Sequence, residues 1–387
     1  MIRLADLITE FEPALRQKYG QRLLPSHLNA LAALKACRSR FAPQMLATCT
    51  GCQAHKLLPH SCGHRSCPHC QHHDSQLWLQ RQLKAWVPAT YFVVTFTLPA
   101  QLRHLTWSHQ RLVYDLMMQA AWATLNAFAH ADKALGGTPG ALAVLHTHNR
   151  QLGFHPHVHV CMPAAAFDAQ AMLWRTKVKL GKTPGSRKPA RGGFLFSHTA
   201  LARVFAGKLQ AALRAAGLTL PADLPQQWVV DCKAVGDGQQ ALKYLGRYLY
   251  RGVISERDLL RCKDGQLTYR WRDAKSGKSA TRTVPAEDFL WLLLQHVLPK
   301  GLQRARNFGV LHHNARRTLA LVQLTQAAPK LIDATPPTRP FWRCACGQPM
   351  VIVRRRMRPP SSTTPQSCAA PQTVQPDKAH PMETQTN

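Results

Sequence analysis

The chain has 387 residues, with 50 Lys and Arg against 19 Asp and Glu, so its formal net charge is +31. A chain of this length is enough for one large domain or a few small ones, each with its own core. A protein surface with such a charge attracts polyanions, and it favours nucleic acid as the partner. The apolar runs are well short of the ~20 residues that span a bilayer. Because the basic residues are also scattered along the chain, membrane association is the weaker alternative.

The N-terminal stretch MIRLADLITEFEPALRQKYG is amphipathic and carries mixed charge. It has neither the apolar segment nor the small-residue cleavage site of a secretory signal. We therefore expect the chain to reside in the cytoplasm. In that reducing compartment its 12 cysteines are expected to be metal ligands or buried thiols rather than disulfides.

Apolar residues at helical spacing predict helices over residues 1–40, and the cysteine-rich stretch CTGCQAHKLLPHSCGHRSCPHCQHH follows. It contains two Cys-x2-Cys knuckles, whose spacing lets two thiolates approach one tetrahedral ion. Zinc held by four thiolates has no open position for chemistry, so we predict a structural zinc ion. Its predicted ligands are Cys49, Cys52, Cys67 and Cys70, with Cys62 as a substitute. Cys37 and the neighbouring histidines are additional candidates, which leaves a second site open.

After the cysteines, β-branched and apolar runs alternate with helical patterns. We predict a helix opened by Asp74, a strand in TYFVVTFTLP, a long helix over about 107–131, and helices near 166–178 and 198–216. Further strands are predicted in QQWVVDCKAV and GQLTYRWRD, each followed by a helix, in GQQALKYLGRYLYRG and AEDFLWLLLQHVL. Strands interleaved with helices predict an α+β domain.

Composition divides the chain into four parts. Residues 1–88 form a helical and zinc-binding part, residues 89–325 the α+β domain, and residues 326–357 a basic segment with a Cys-x-Cys pair. Residues 358–387 are rich in Pro, Ser, Thr and Gln, and we predict that they are disordered. Within the α+β domain, the loop LGKTPGSRKPARGG is predicted to be mobile and basic.

Two stretches rich in histidine, GALAVLHTHN and GFHPHVHVCMP, are predicted strands joined by the short turn NRQL, which favours an antiparallel hairpin. Alternate residues of a strand share a face, so His157 and His159 project together and can both reach one cation. His155 lies on that face as well, but Pro156 suggests that the strand begins after it.

The partner strand offers a third ligand, since a hairpin brings either His146 or His148 across from this pair. Alternating histidines can instead form a hydrated polar face. Five histidines on two adjacent strands favour a metal site over that alternative.

The stretch ALKYLGRYLYRG places Tyr244 and Tyr248 four residues apart, so on a helix their phenols share a face. The basic residues of the neighbouring face repeat at the same spacing and suit phosphates; they are Lys243, Arg247 and Arg251. Aromatic residues at this spacing usually pack in a core. A tyrosine is also a nucleophile, and because a phenol has an ordinary pKa of ~10, it needs a polarised electrophile or a nearby base. A histidine-bound cation supplies the first.

Taken together, HPHVHV, YLGRY and SCGHRSCPHCQ resemble the rolling-circle transposases of the IS ninety-one insertion-sequence family, which are HUH (histidine-hydrophobic-histidine) endonucleases. The likeness covers roughly residues 20–320. It implies a small helical, zinc-binding domain followed by an HUH-type catalytic domain, in which a central antiparallel sheet is flanked by helices. It also implies single-stranded transposon DNA as the substrate. Whether the chain forms a homo-oligomer stays open at this point.

The resemblance implies a role for each matching residue. His157 and His159, with His146 as the third ligand, would hold Mg²⁺ or Mn²⁺ beneath the scissile phosphate. Tyr244 and Tyr248 would each form a 5′-phosphotyrosine link and release a 3′-OH. The C-terminal RCACGQPM resembles the CxxCG element of relatives, but its one-residue spacing between Cys344 and Cys346 predicts an incomplete zinc knuckle.

Two other classes of function stay open. A zinc-dependent hydrolase would use the histidine site with a water nucleophile and would not need the tyrosines. A non-catalytic zinc-ribbon protein would bind DNA without needing the histidine face. A covalent protein–DNA adduct distinguishes the transposase from both.

Overall fold

The computed structural model describes residues 2–39, 42–177, 195–250, 253–273, 276–327 and 342–357, with the backbone alone for residues 247–250. The loop LGKTPGSRKPARGG and the tail 358–387, predicted to be mobile and disordered, lie outside the described residues.

Helices and strands alternate along the described chain. The helices are α1 (Leu4–Tyr19), α2 (Pro25–Ala36), α3 (His72–Lys84), α4 (Arg103–Ser108), α5 (Gln110–Ala131), α6 (His198–Ala215), α7 (Gln239–Tyr250), α8 (Ala286–Leu294) and α9 (Arg316–Thr325). The strands are β1 (Gln44–Cys49), β2 (His55–Pro59), β3 (Tyr91–Thr97), β4 (Thr138–His148), β5 (Phe154–Pro163), β6 (Ala165–Asp168), β7 (Leu173–Thr176), β8 (Val230–Ala234), β9 (Leu259–Lys263), β10 (Gln266–Arg272), β11 (Ser279–Pro285), β12 (Ala305–Gly309), β13 (Trp342–Arg343) and β14 (Pro349–Met357).

The largest sheet has the strand order β7-β6-β4-β5-β3-β8, and β12 also pairs with β4. Every pairing in it is antiparallel. The predicted α+β class with a central antiparallel sheet flanked by helices is therefore confirmed, as is the hairpin of β4 and β5.

The prediction of a helix near 166–178 is wrong, because this segment forms β6 and β7. Its alanines favour a helix when taken alone. The edge of β4 offers unpaired backbone groups instead, and Thr138 pairs there with Phe167. The carboxylate of Asp168 accepts hydrogen bonds from the N–H groups of Gln170 and Ala171 and so closes the turn to β7.

The two faces of this sheet are covered by different helices. On one face, Phe96 of β3 packs against Phe205 of α6 at a ring distance of 4.7 Å, in a core that α5 shares. On the other face, Leu142 of β4 joins the buried core formed by α3, α7 and α9. The central strands β3, β4 and β5 are thus buried on both sides, with alternate residues in different cores.

A second body lies against the N-terminal helices. The meander of β9, β10 and β11 and helix α8 share a core with α1 and α2, built around Tyr269 and Phe289. Tyr19 of α1 stacks on Trp291 of α8, with ring centroids 4.8 Å apart and planes 7° apart.

The C-terminal segment returns to the beginning of the chain. A four-stranded sheet has the order β13-β14-β1-β2, in which β14 lies antiparallel to β1. Residues 342–357, predicted as part of a separate segment, therefore complete a sheet that residues 44–59 begin. Among the described residues, no helix is both long enough and apolar enough to cross a membrane.

The helix that carries the tyrosines is fixed by close packing on α3. A Cβ at Gly246 of α7 would lie 3.0 and 3.2 Å from two ring atoms of Trp78, whose indole is buried. The hydroxyl of Ser75 also donates to the carbonyl of Gly246, at 3.3 Å. Glycine is needed here because the two helices approach each other closely.

We expect Gly246→Ala to lower the free energy of unfolding, because the added methyl group displaces α7 from Trp78. Gly207 is the matched control, since it lies inside α6 and its Cβ would meet nothing within 4 Å. Gly207→Ala should raise that free energy by about 0.5–1 kcal/mol through helix propensity alone. Urea unfolding of both variants measures the difference. An equal increase in the free energy of unfolding of both variants would show that the contact with Trp78 does not constrain α7.

Candidate active site and zinc-binding clusters

Three histidine side chains meet on the face of the central sheet that α7 covers. In the pairing of β4 with β5, His146 lies opposite His157, and Val144 lies opposite His159. Opposite residues of an antiparallel pair share a face, and so do alternate residues of one strand. The ring nitrogens that these side chains offer as ligands all lie within 4.8 Å of one another. This cluster has the dimensions of a site for one cation.

Two of these rings are held in place by hydrogen bonds at their Nδ1 atoms. The Nδ1 of His157 lies 2.7 Å from the carbonyl oxygen of His155 and donates to it. The Nδ1 of His159 lies 2.9 Å from the hydroxyl of Thr95 on the neighbouring strand β3. Partners of this kind orient metal-binding histidines and fix the tautomer, so that Nε2 keeps its lone pair for a cation.

Burial keeps the three imidazoles neutral. It lowers the pKa of His157 to about 4, and burial together with the neighbouring His157 lowers the pKa of His159 to about 3. Burial also holds the pKa of His146 well below its ordinary value, and His159 and His157 add to the effect. At neutral pH each ring therefore presents a lone pair rather than a positive charge.

The register of the hairpin shifts between His146 and His148, because two steps along β4 match three along β5. The extra residue makes a bulge in β5 between Phe154 and His157, at His155 and Pro156. The expectation that the strand begins after Pro156 is therefore wrong. β5 begins at Phe154, since a bulge accommodates a residue that has no N–H to donate.

The remaining two histidines of the hairpin lie beside the cluster rather than in it. The ring of His148 lies 5.0 Å from that of His296, and the Nδ1 of His155 lies 3.1 Å from a guanidinium nitrogen of Arg103. Of the two candidates on β4, the structure therefore brings His146, not His148, to the pair on β5.

The cluster opens into a cavity of about 500 Å³ that Tyr244 also lines. Tyr244 is 58% exposed, whereas Leu242 and Leu245 on either side of it are buried against the sheet. The alternative that Tyr244 packs in the core is therefore wrong. Other residues that line the cavity are His148, Asn149, Arg150, Gln151, His155, Trp271 and Asp273.

The other residues predicted on α7 are described only in part. Lys243 is half-buried. Tyr248 and Arg247 belong to α7, but their side chains are outside the described part of the chain, and Arg251 lies outside it altogether. The backbone places Tyr248 one helical turn beyond Tyr244.

The N-terminal cysteines form two groups rather than the one site predicted. In the first group, Cys37 Sγ lies 3.3 Å from Cys70 Sγ and 3.6 Å from Cys67 Sγ, and Cys62 Sγ lies 3.7 Å from Cys70 Sγ. Cys37 is thus a full member, placed there by the end of α2. Cys62 is a member as well rather than a substitute.

The other predicted knuckle, Cys49 and Cys52, lies apart from this group. It faces Cys344 and Cys346, because the pairing of β1 with β14 brings the two ends of the chain together. The prediction that both knuckles share one ion is therefore wrong. Knuckle spacing identifies which cysteines act as pairs, but tertiary structure decides which pairs meet.

Two family models match the chain. One, described as "Transposase zinc-binding domain", matches residues 7–98, and one described as "Putative transposase" matches residues 140–318. The first range holds the six N-terminal cysteines, and the second holds the three clustered histidines and both tyrosines. The fold and these matches define a transposase with a zinc-binding domain, and the domain and its cysteine clusters support structural zinc.

Two curated proteins show the same relationship. "Putative transposase y4qJ" of Sinorhizobium fredii (strain NBRC 101917 / NGR234) is 29% identical over 332 residues, which is 81% of this chain and 81% of that protein. "Transposase for insertion sequence element IS801" of Pseudomonas savastanoi pv. phaseolicola is 26% identical over 278 residues, or 67% of this chain and 63% of the relative. The chain belongs to the IS ninety-one family of transposases. No solved structure matches it significantly.

Membership in this family makes the chain a DNA-processing enzyme and implies that it binds DNA, in agreement with its charge of +31. Sequence reasoning missed Thr95, because only the register of β3 against β5 shows that its hydroxyl faces His159. It also missed Trp271, which reaches the cavity from β10 of a separate sheet, and Asp273, which follows that strand.

We expect Cys67→Ser to lose one zinc ion per chain and to lower the thermal unfolding temperature, because Cys67 is one of four clustered thiols and is buried in the core that α1, α2 and α8 share. Cys262→Ser, at a partly buried thiol on β9 outside both clusters, is the matched control and should keep its metal. Metal analysis and calorimetry of the two purified variants give the answer. A Cys67→Ser protein with full zinc content would refute the ligand assignment.

Proposed function

We propose that this transposase nicks and rejoins single-stranded DNA at the ends of an insertion element through tyrosine attack, as in rolling-circle transposition. The observation that carries the proposal is that an exposed tyrosine, Tyr244, and the cluster of His146, His157 and His159 line one cavity. A nucleophile and a cation site in one cleft are what a phosphodiester transesterification needs.

The donor set suits a divalent cation with affinity for nitrogen. Three neutral imidazoles are aimed at one point, and Mg²⁺ prefers oxygen ligands, so Mn²⁺ is the better fit of the two implied ions. A cation held by these three residues would polarise an oxygen of the scissile phosphate. His157 and His159 are fixed for this task by the carbonyl of His155 and the hydroxyl of Thr95.

In the first step, the phenolic oxygen of Tyr244 attacks the scissile phosphorus, and its proton passes to solvent. The bond from phosphorus to the 3′ oxygen breaks, and that oxygen takes up a proton to leave as a 3′-OH. The 5′ phosphate is then esterified to the tyrosine. Attack by a 3′-OH on this ester reverses the exchange and rejoins the strand, so no bond energy is lost to hydrolysis.

Tyr248 is the proposed second nucleophile, since the backbone of α7 places it one turn from Tyr244. Lys243 on α7, with Arg247 and Arg251, is proposed to bind phosphates of the strand. Half-buried Trp271 in the cavity wall offers a ring on which an unpaired base can stack.

The hydrolase alternative would use the same histidines with water as the nucleophile. It gives no reason for a 58% exposed tyrosine in the cavity wall. A DNA-binding protein without catalysis would need neither the tyrosine nor three buried histidines with their lone pairs directed at one point.

We expect the double variant Tyr244→Phe/Tyr248→Phe to fold, to bind DNA and to form no covalent adduct. Phenylalanine keeps the ring, so the loss of one phenolic hydroxyl changes the stability by at most about 1 kcal/mol. The assay incubates the protein with Mn²⁺ or Mg²⁺ and labelled single-stranded oligonucleotides from the ends of its element, followed by denaturing electrophoresis. If the tyrosines act in sequence, each single variant keeps one strand-transfer step. Cleavage by the double variant would make water the nucleophile.

His157→Ala, His159→Ala and His146→Ala should each abolish adduct formation while DNA binding persists, because each removes a ligand from the same cation site. His148→Ala is the control, since its ring lies beside His296 rather than in the cluster. Adduct yield and a filter-binding measurement separate the two effects. An equal loss of adduct in His148→Ala would show that His148 also belongs to the cation site.

Thr95→Val should weaken Mn²⁺ binding about 10- to 100-fold, because it removes the hydroxyl that orients His159. Thr97→Val, two residues along the same strand, is the matched control, since His157 is held by a backbone carbonyl instead. Titration of Mn²⁺ followed by paramagnetic resonance measures both affinities. The same affinity in both variants would remove Thr95 from the site.

A further inference from the structure

We infer that Cys49, Cys52, Cys344 and Cys346 bind a second zinc ion, which fastens the C-terminal strands to the N-terminal hairpin. Two of these ligands come from inside the stretch that matches the zinc-binding domain, and two come from beyond the end of both family matches. This site is separate from the group that contains Cys37 and from the histidine cluster.

The sulfur positions fit a tetrahedral ion. Cys49 Sγ lies 3.4 Å from Cys346 Sγ, and Cys52 Sγ lies 3.6 Å from Cys344 Sγ. The ligand atoms of all four residues lie within 4.8 Å of one another. Zinc–sulfur bonds of ~2.3 Å in a tetrahedron put the sulfurs ~3.7 Å apart, which agrees with these distances.

Both arms of the site are tight turns closed by local hydrogen bonds of backbone N–H groups. In the first arm, the N–H of Gly51 lies 3.4 Å from Cys49 Sγ. In the second arm, the N–H of Gly347 donates to the carbonyl of Cys344 at 2.9 Å, and Gly347 has a φ of +84° that a side chain would strain. This turn brings both sulfurs to one side despite the one-residue spacing. The prediction that Cys344 and Cys346 form an incomplete knuckle is therefore wrong, because both sulfurs face the same point.

The sheet that carries these cysteines has little else to hold it together. Its buried apolar cluster consists of four residues, Ala47, Cys49, Leu58 and Met350, with Met45 and Cys344 packed on it. A core of this size is too small to stabilise a four-stranded sheet alone, and small folds of this kind are stabilised by metal. Four thiolates leave no open position, so the ion has a structural role and zinc is the expected metal.

Chemical reactivity of the unaltered full chain tests the inference, because two of the four thiols are exposed. Cys52 and Cys346 are open to solvent, so burial alone cannot protect them from an alkylating reagent. Under a phosphine reductant, which removes any disulfide, we expect a pulse of N-ethylmaleimide to modify Cys52, Cys344 and Cys346 slowly. Addition of a strong zinc chelator should accelerate their alkylation on the order of tenfold or more. Peptide mass spectrometry assigns the modified sites.

Cys262 is the control thiol, since it lies outside both clusters and its alkylation rate should not respond to the chelator. Rates for Cys52 and Cys346 that are the same with and without the chelator would overturn the inference. Metal analysis gives an independent measurement. Cys344→Ser/Cys346→Ser should contain one zinc ion fewer than the parent protein, and unchanged zinc content would also overturn it.

Discussion

The register of β4 against β5 is the constraint on which the active-site cavity depends. Because side chains alternate along a strand, a slip by one residue would turn His146, His157 and His159 to the opposite face. That face packs against α5 and α6 in an apolar core, where three imidazoles would be buried without the polar partners they now have. The register is secured on the neighbouring strand too, since Thr95 lies opposite His159.

The same face of the sheet changes character along its length. Leu142 and Val144 on β4 and Cys161 on β5 are buried in the core that α3, α7 and α9 share with the sheet, and the next residues outward on the same face are histidines. The apolar part fixes the helix, and the polar part faces the cavity that the exposed ring of Tyr244 also borders. Adjacent residues of α7 thus have different roles, since Leu245 packs in the core and Tyr244 lines the cavity.

Much of this arrangement could be predicted from local sequence patterns. The alternation of histidines predicted the face that their side chains share on the hairpin. The four-residue spacing of the tyrosines predicted that they lie on one face of a helix. The third ligand was predictable only as a choice between His146 and His148, because a bulge cannot be located from the sequence. Partners distant in the chain were not predictable: the pairing of Cys49 with Cys346 and the bond from Thr95 to His159 depend on tertiary structure. Alanine-rich residues 165–168 were misassigned because an available sheet edge outweighs helix propensity.

The antiparallel pairing of β1 with β14 has a consequence for how the protein is made. Thr48 lies opposite Val351, about 300 residues later in the chain. Synthesis proceeds from the N-terminus at a limited number of residues per second, so the hairpin of β1 and β2 leaves the ribosome long before its partner strand exists. Until then the edge of β1 is exposed and open to pairing with another chain. The Cys37 group, by contrast, is complete once residue 70 has emerged. The ligands of this group can therefore meet while the rest of the chain is being made, whereas the four-stranded sheet must wait until β14 has been synthesised.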